Sequence, residues 1–250
     1  MCTVSYLPLG SGRNGKQGGR YILTSNRDEA PHRNAIEFRH HEAEGVSLYF
    51  PVDPYAGGTW FCISTNHRAA CLLNGAHHPF APGSQYTQSR GIALLELMQC
   101  ETVEAFIGQY DLSFTAPFTI VMAESDNLHE LIWDGTKAEW TMLDPEVPAF
   151  WSSVTLYPQD VRSWRKQLFD KWVTEHPVFE QKQIMDFHRY GSGDDIWNGF
   201  VMNRDEQVKT LSISSVMKHD TYFSIVHADL TSGHKHQETL KLNPLYAAKT

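Results

Sequence analysis

The second residue of this 250-residue chain is a cysteine, in the run Met1-Cys2-Thr3-Val4-Ser5-Tyr6. A residue as small as cysteine at position 2 favours trimming of the initiator methionine. Trimming would leave a single residue that carries both a thiol and a free α-amine. Such an amine has an ordinary pKa of about 7.7–8.0. Near pH 7 a useful fraction is therefore neutral and can accept the thiol proton. Nucleophile and base would then share one residue, with no histidine base needed. The plainer reading is an incidental cysteine. A second group with chemical potential is Asn26-Arg27-Asp28-Glu29. Residues two apart on a strand share a face, so Asn26 and Asp28 can both point towards Cys2. Arg27 faces away unless a bulge intervenes; within about 4–6 Å of the thiol it would favour the thiolate.

These residues need a hairpin to bring them together. Residues 2–7 alternate and are rich in Val, Thr and Tyr, which predicts a strand. Residues 10–19 are glycine-rich and predict its turn, and 20–26 predict the return strand. Antiparallel partners lie about 5 Å apart, so the end of the second strand returns beside Cys2. Residues 29–57 are polar, with three histidines and three prolines, and read as a long functional loop. The Gly57-Gly58 pair launches a strand through Ser64, which pairs with 68–74 in a clear hairpin. Helices are expected over 87–98 and 102–110, then strands over 117–124, 128–134 and 137–142. The amphipathic stretch 159–174 carries Val161, Trp164, Leu168 and Trp172 at helical spacing. Another helix is expected near 178–189, and strands near 198–203, 207–217 and 220–228. Helices segregate from blocks of strands, which favours α+β with antiparallel sheets over a doubly wound parallel sheet. Two packed sheets with helices on both outer faces would accommodate the order. No linker is evident, so residues 1–250 are read as one domain.

Composition narrows the function. The net charge is −8 and no Lys/Arg-rich run occurs, which argues against non-specific nucleic-acid binding. No apolar run reaches the roughly 20 residues of a membrane span, and the N-terminus lacks a basic start and an apolar secretory core. A soluble cytoplasmic protein is the expectation. Cys2, Cys62, Cys71 and Cys100 form no CxxC pair, and Cys62 and Cys71 read as small buried hydrophobes. The thirteen histidines form no metal signature; His234 and His236 fall in what reads as a polar loop. The glycine-rich turn lacks the Lys-Ser/Thr of a phosphate loop. Neither a metal nor a cofactor is expected. His188 reads as structural. Ser152-Ser153, after Phe150-Trp151 at a strand end, reads as capping or turn chemistry, with pocket lining as the alternative.

Met1-Cys2, Asn26-Arg27-Asp28-Glu29, Gly57-Gly58-Thr59-Trp60 and the Ala69-Ala70 strand ending at Asn74 occur in order. Together they resemble the NRDE family, which includes the transport-and-Golgi-organisation-2 proteins. The resemblance implies the N-terminal nucleophile hydrolase fold, a four-layer αββα sandwich. It also implies kinship with cysteine amidases of the choloylglycine-hydrolase and penicillin-V-acylase type. These begin Met-Cys and carry an Asn-x-Asp on the second strand, where the Asp contacts the nucleophile's amine; Asn26 and Asp28 match that pair. In those amidases an Arg immediately precedes the Asn. Here that position is Ser25, so Arg27 or another group would supply the charge. An Asn in the region of Asn74 supplies an oxyanion donor in the amidases, the kind of group such chemistry needs. Asn74-Gly75 reads equally as a turn. Asn203-Arg204-Asp205-Glu206 repeats the four letters with no cysteine nearby and reads as turn chemistry.

Two functions follow. One is a cysteine N-terminal nucleophile hydrolase acting on a small non-peptide linear amide through Cys2, with Asp28, Asn26, Arg27 and Asn74 around it. The other is a non-catalytic binding or trafficking-type protein on the same fold, since eukaryotic relatives are tied to Golgi organisation and to lipid and haem handling.

Overall fold

The computed structural model describes residues 3–10, 19–35, 37–43, 45–80 and 85–244. Met1, Cys2 and residues 11–18 of the expected turn lie outside the described residues. β1 (Thr3–Pro8) and β2 (Tyr21–Glu29) pair antiparallel, Thr3 opposite Asn26 and Pro8 opposite Tyr21. On its other side β1 pairs with β10 (Ala149–Ser152), Thr3 opposite Ser152. β2 continues into β12 (Val208–Lys218), then β13 (Tyr222–Asp229) and β14 (Lys235–Lys241), while β11 (Asn203–Arg204) pairs with β12. The second sheet is a meander in chain order: β3 (Phe38–Ala43), β4 (Val46–Pro51), β5 (Phe61–Ser64), β6 (Arg68–Asn74), β7 (Phe118–Glu124), β8 (Asn127–Trp133) and β9 (Ala138–Leu143). Every pairing between these strands is antiparallel.

The apolar residues sort into three layers. Val4, Tyr6, Tyr21 and Leu23 of the first sheet meet Phe61, Ile63, Cys71 and Val121 of the second in a core between the sheets. The other face of the meander is covered by α1 (Arg90–Gln99) and α2 (Val103–Gln109), through Leu94, Leu97 and Phe106 on Cys62, Leu72 and Ile120. The other face of the first sheet is covered by α3 (Gln159–Glu175) and α4 (Gln181–Tyr190), through Phe169, Ile184 and Phe187 on Leu7 and Ile22. The result is the α+β four-layer αββα sandwich of two antiparallel sheets. Period-2 alternation lets each strand feed two layers at once. Odd-numbered residues of β1 face α3 and α4 and even-numbered ones face the other sheet, which makes nearly the whole strand buried. The glycines before β5 permit the close approach of α1. A Cβ on Gly58 would sit 2.6 Å from the Gly91 carbonyl carbon, and one on Gly91 2.6 Å from the Thr59 backbone.

Three sequence expectations are corrected. Residues 29–57 are not one irregular loop: a single 3-10 turn at Pro31–Arg33 precedes the β3–β4 hairpin. β3 lies at a sheet edge and carries exposed Arg39, His40, His41 and Glu42, so its composition looks like a loop's. The histidine-rich run around His236 is the edge strand β14, where His236 stacks on Phe38 and its ring meets the Tyr49 hydroxyl at 2.5 Å. The expected strand at 198–203 shrinks to Asn203–Arg204, because the carbonyls of residues 198–200 are taken by side chains instead of a ladder. Among the described residues no helix is long and apolar enough to cross a membrane. No group of three or more potential ligating His, Cys, Asp or Glu side chains is found among them either.

Candidate active site at the start of the first strand

The end of β2 is buried through charged residues, which is costly unless each is paired. Asn26, Arg27 and Asp28 are 0%, 1% and 2% exposed. Asn26 and Asp28 share the face towards α3 and α4, and Arg27 takes the face towards the meander, as the strand period requires.

Asn26 is saturated. Its Nδ2 donates to the carbonyls of His188 (3.0 Å) and Phe200 (2.7 Å). Its Oδ1 meets His188 Nδ1 at 2.6 Å, and His188 Nε2 meets Ser5 Oγ at 2.7 Å. An amide oxygen only accepts, so Nδ1 carries the proton and Nε2 accepts from Ser5, a neutral imidazole. Burial, and then the charge of Arg165, push His188 down to about 3. His188 is therefore a neutral spacer between β1, β2 and α4, its one N–H committed to Asn26.

Asp28 accepts from the Tyr157 hydroxyl at 2.8 Å and from Thr210 Oγ1 at 2.5 Å. Thr210 reaches it through a bulge. Asp28 pairs with Thr210 and Arg27 with Ser212, so Leu211 is the extra residue on β12. That insertion reverses the side-chain alternation and turns the Thr210 hydroxyl to the Asp28 side. The bulge lies on the partner strand, and Arg27 keeps the opposite face from its neighbours.

Arg27 donates to Asp53 at 2.7 Å, with its guanidinium 3.7 Å over the Trp60 ring centroid. Asp53 also accepts from Arg33 at 2.6 Å and from the backbone N–H groups of Tyr55 and Ala56. Burial pushes the Asp53 carboxyl up, but the Ala56 N–H and the two guanidiniums outweigh it and hold it below the ordinary value.

Thr3 holds the register of this corner. Its hydroxyl accepts from Arg165 of α3, a fully buried guanidinium that also donates to the carbonyls of Asn198 and Gly199 at 3.0 Å each. Arg165 lies over the rings of Tyr157 (4.0 Å) and Phe200 (4.9 Å), so the ring that bonds Asp28 also carries a buried cation on its face. On the other side of Thr3 stands Ser152, and the next residue, Ser153, donates through Oγ to the Asn74 carbonyl at 2.8 Å. Asn74 is the last residue of β6, and Gly75 follows with φ +88° and donates its N–H to the Pro117 carbonyl at 3.0 Å, so the pair extends the ladder with β7 and does not close a two-residue turn. The Asn74 side chain also lines a cavity of about 320 Å³, with Ser152 and Ser153 on the same wall. Its Oδ1 is buried and has no hydrogen-bond partner among the described residues.

Cys2 lies outside the described residues. Asn26, Arg27 and Asp28 are brought together on β2, and Asn74 stands across the β10 edge on the cavity wall. Arg165, Tyr157, Thr210 and Asp53 were not legible as members of the site. Arg165 did leave a trace: it falls inside the apolar stripe of α3, one position from Trp164, and a cation there signals a buried partner. Cys62 and Cys71 are buried and their thiols are pushed up by burial. Neither is an alternative thiolate.

Comparison with known proteins agrees with the architecture. The family model of Transport and Golgi organisation 2 matches residues 11–187. No curated protein matches the chain. Among solved structures, a Caenorhabditis elegans N-acylethanolamine-hydrolyzing acid amidase ortholog superposes with a TM-score of 0.56 at 11% identity, covering 86% of this chain and 92% of that one. Two structures of variants of the conjugated bile acid hydrolase from Clostridium perfringens each give a TM-score of 0.49 at 9% identity. They cover 96% of this chain and 97% of that one, and 100% of both. The fold is of the N-terminal nucleophile hydrolase type.

Proposed function

This chain belongs to the Transport and Golgi organisation 2 family, and on that premise we propose that it is a cysteine amidase whose nucleophile is Cys2 after loss of Met1. The reading rests on one observation: the buried charged end of β2 and the serine-bearing end of β10 both pair with Thr3. Consecutive Cα atoms are 3.8 Å apart, so covalent order alone ties position 2 to the Thr3 that these groups flank. A strand end stacked with Asn, Arg and Asp, each hydrogen-bonded or ion-paired, is expensive to build for packing alone. Amidase chemistry supplies a use for it.

In this mechanism the Cys2 α-amine takes the thiol proton and Sγ attacks the amide carbonyl. Asp28, fixed by Tyr157 and Thr210, orients the amine. Arg27 adds positive potential from the other face. The Asn74 amide and a backbone N–H stabilise the oxyanion. Collapse breaks the C–N bond, and the proton held by the amine goes to the leaving nitrogen. Water then cleaves the thioester to a carboxylic acid and restores the thiol. The substrate is a small-molecule linear amide, in line with the amidase among the fold neighbours, and the protein acts in the cytoplasm without a cofactor or metal.

Intact-mass measurement tests the premise and the chemistry together. The expected protein mass lacks Met1, and an activated acyl ester adds one acyl group that Cys2→Ala cannot accept. Retention of Met1, or a Met1-free protein that neither acylates nor turns over, would favour the non-catalytic binding reading, and acylation or turnover that survives Cys2→Ala would rule out Cys2 as the nucleophile.

A further inference from the structure

We infer that the cavity beside Asn74 takes an amide bearing a carboxylate, an N-acyl amino acid, and that Arg162 holds that carboxylate. The inference rests on the amidase reading and adds the substrate class to it. The cavity of about 320 Å³ falls at the small end of ligand sites, suited to a short acylated amino acid. Leu73, Ile132 and Trp151 supply its apolar wall, and Asn74, Ser152 and Ser153 supply polar groups on the side next to Thr3.

The remaining wall is one face of α3. Gln159, Arg162, Ser163 and Lys166 fall at i, i+3, i+4 and i+7, so they stack along that face. Arg165 and Phe169 point to the sheet instead. The two cations on the wall differ. Lys166 is spent on Asp170, at 2.6 and 2.8 Å to its two oxygens. Arg162 donates only to the neutral Gln159 side chain, and its Nε is buried without a partner among the described residues. A guanidinium that is half-buried and has no carboxylate is an incomplete pair, and its planar fork matches a carboxylate. The acidic side chain in the cavity, Glu130, is already engaged by Trp151 Nε1 at 2.6 Å. Its charge repels an anion from the β8 wall and so favours the α3 wall. Ser152 Oγ and Asn74 Oδ1 are also buried and unpartnered among the described residues, on strands that the cavity shares with Arg162's helix. A ligand with an amide at one end and a carboxylate at the other satisfies both sets of groups.

The test uses N-octanoylglycine and its neutral counterpart N-octanoylethanolamine, titrated calorimetrically into full-length Cys2→Ala protein. The acid is expected to bind at least tenfold more tightly than the neutral amide. Adding Arg162→Gln should weaken the acid by about tenfold to a hundredfold, the range of a lost charged hydrogen-bonded pair, and leave the neutral amide unchanged. Lys166→Gln should change either by less than about threefold, given its partner Asp170. Equal binding of the two amides, no binding of either, or an acid preference that survives Arg162→Gln overturns the site. Turnover separates the two ideas. Acid-selective binding without hydrolysis by the Met1-free wild type sinks the amidase reading and leaves the site. Hydrolysis of both amides at equal kcat/KM does the reverse.

Discussion

The chain spells Asn-Arg-Asp-Glu twice, at 26–29 and at 203–206, and although both copies begin on strands that pair with β12, they differ in burial and in backbone conformation. The first ends the central strand β2, with helices over one face and a second sheet over the other. Its Asn, Arg and Asp are almost fully buried, and each is tied to groups at least 20 residues away in sequence. The second copy makes a tight turn. Arg204 accepts from the Gln207 N–H at 3.0 Å, and Asp205 and Glu206 have φ of 52° and 56°. Two central residues at positive φ define a type I′ turn, the form that suits the twist of a hairpin. There Asn203 and Glu206 bond each other, and the Glu206 N–H donates to Asn203 Oδ1 at 3.0 Å. Four side chains that close a local turn in one place carry a buried electrostatic corner in the other. Solvent access decides the difference: charges in water need no partner, and buried ones need several.

Matched substitutions in the two copies test this contrast. Arg27→Met should cost about 3–5 kcal/mol in urea unfolding, the range for breaking a buried ion pair. Arg204→Met loses a hydrogen bond to the Trp197 carbonyl and its place beside two rings, and should cost no more than about 1 kcal/mol. Equal costs would erase the distinction. Asn26→Ala removes a donor from the His188 carbonyl and one from the Phe200 carbonyl, which keeps Thr210 Oγ1 at 3.2 Å, and strands the His188 Nδ1–H, an expected loss of about 3 kcal/mol. Asn203→Ala, at a solvated turn, should cost about 0.5 kcal/mol.

Acid should act on the first corner. His188 titrates near 3 when folded, against about 6.5 when unfolded. Its native pKa is depressed, so between those values the unfolded chain binds a proton that the native state refuses. Its contribution is complete above about pH 6.5 and is lost at about 1.4 kcal/mol per pH unit as pH falls towards 3. His227, down to about 4 through burial first, adds a second proton over the upper part of that window. Unfolding free energies at pH 7, 6 and 5 check the slope, and His188→Gln should flatten it by one proton. The smallest effect concerns backbone strain. Glu206→Gly relieves a positive φ and should raise Tm by about 1–3 °C. Glu29→Gly should lower Tm, because Glu29 ends a strand and holds Arg33 at 2.9 Å.

Much of the architecture was readable because periodicity reports burial. Alternation marked β1, and three-to-four spacing marked α3. The edge strands β3 and β14 were not readable, since one side of an edge is solvated and its residues resemble a loop. The same limit applied to the corner. Asn26 and Asp28 on one face followed from a period of two. That Asp28 would meet Thr210 depended on one extra residue in a strand more than 180 positions away.

By its own letters the chain determined the Cys2 position, the hairpin that returns Asn26, Arg27 and Asp28 beside Thr3, and a helix with an arginine in its apolar stripe. These are local facts, set by covalent order and by the two periods of regular backbone. Tertiary structure alone decided which copy of the tetrapeptide is buried. It alone decided that Arg165 clamps Thr3 to two carbonyls, that His188 stays neutral between Ser5 and Asn26, and that Arg162 lines a cavity with no carboxylate paired to it among the described residues. Each of those depends on desolvation and on partners distant in sequence, and neither is written in any short stretch of residues.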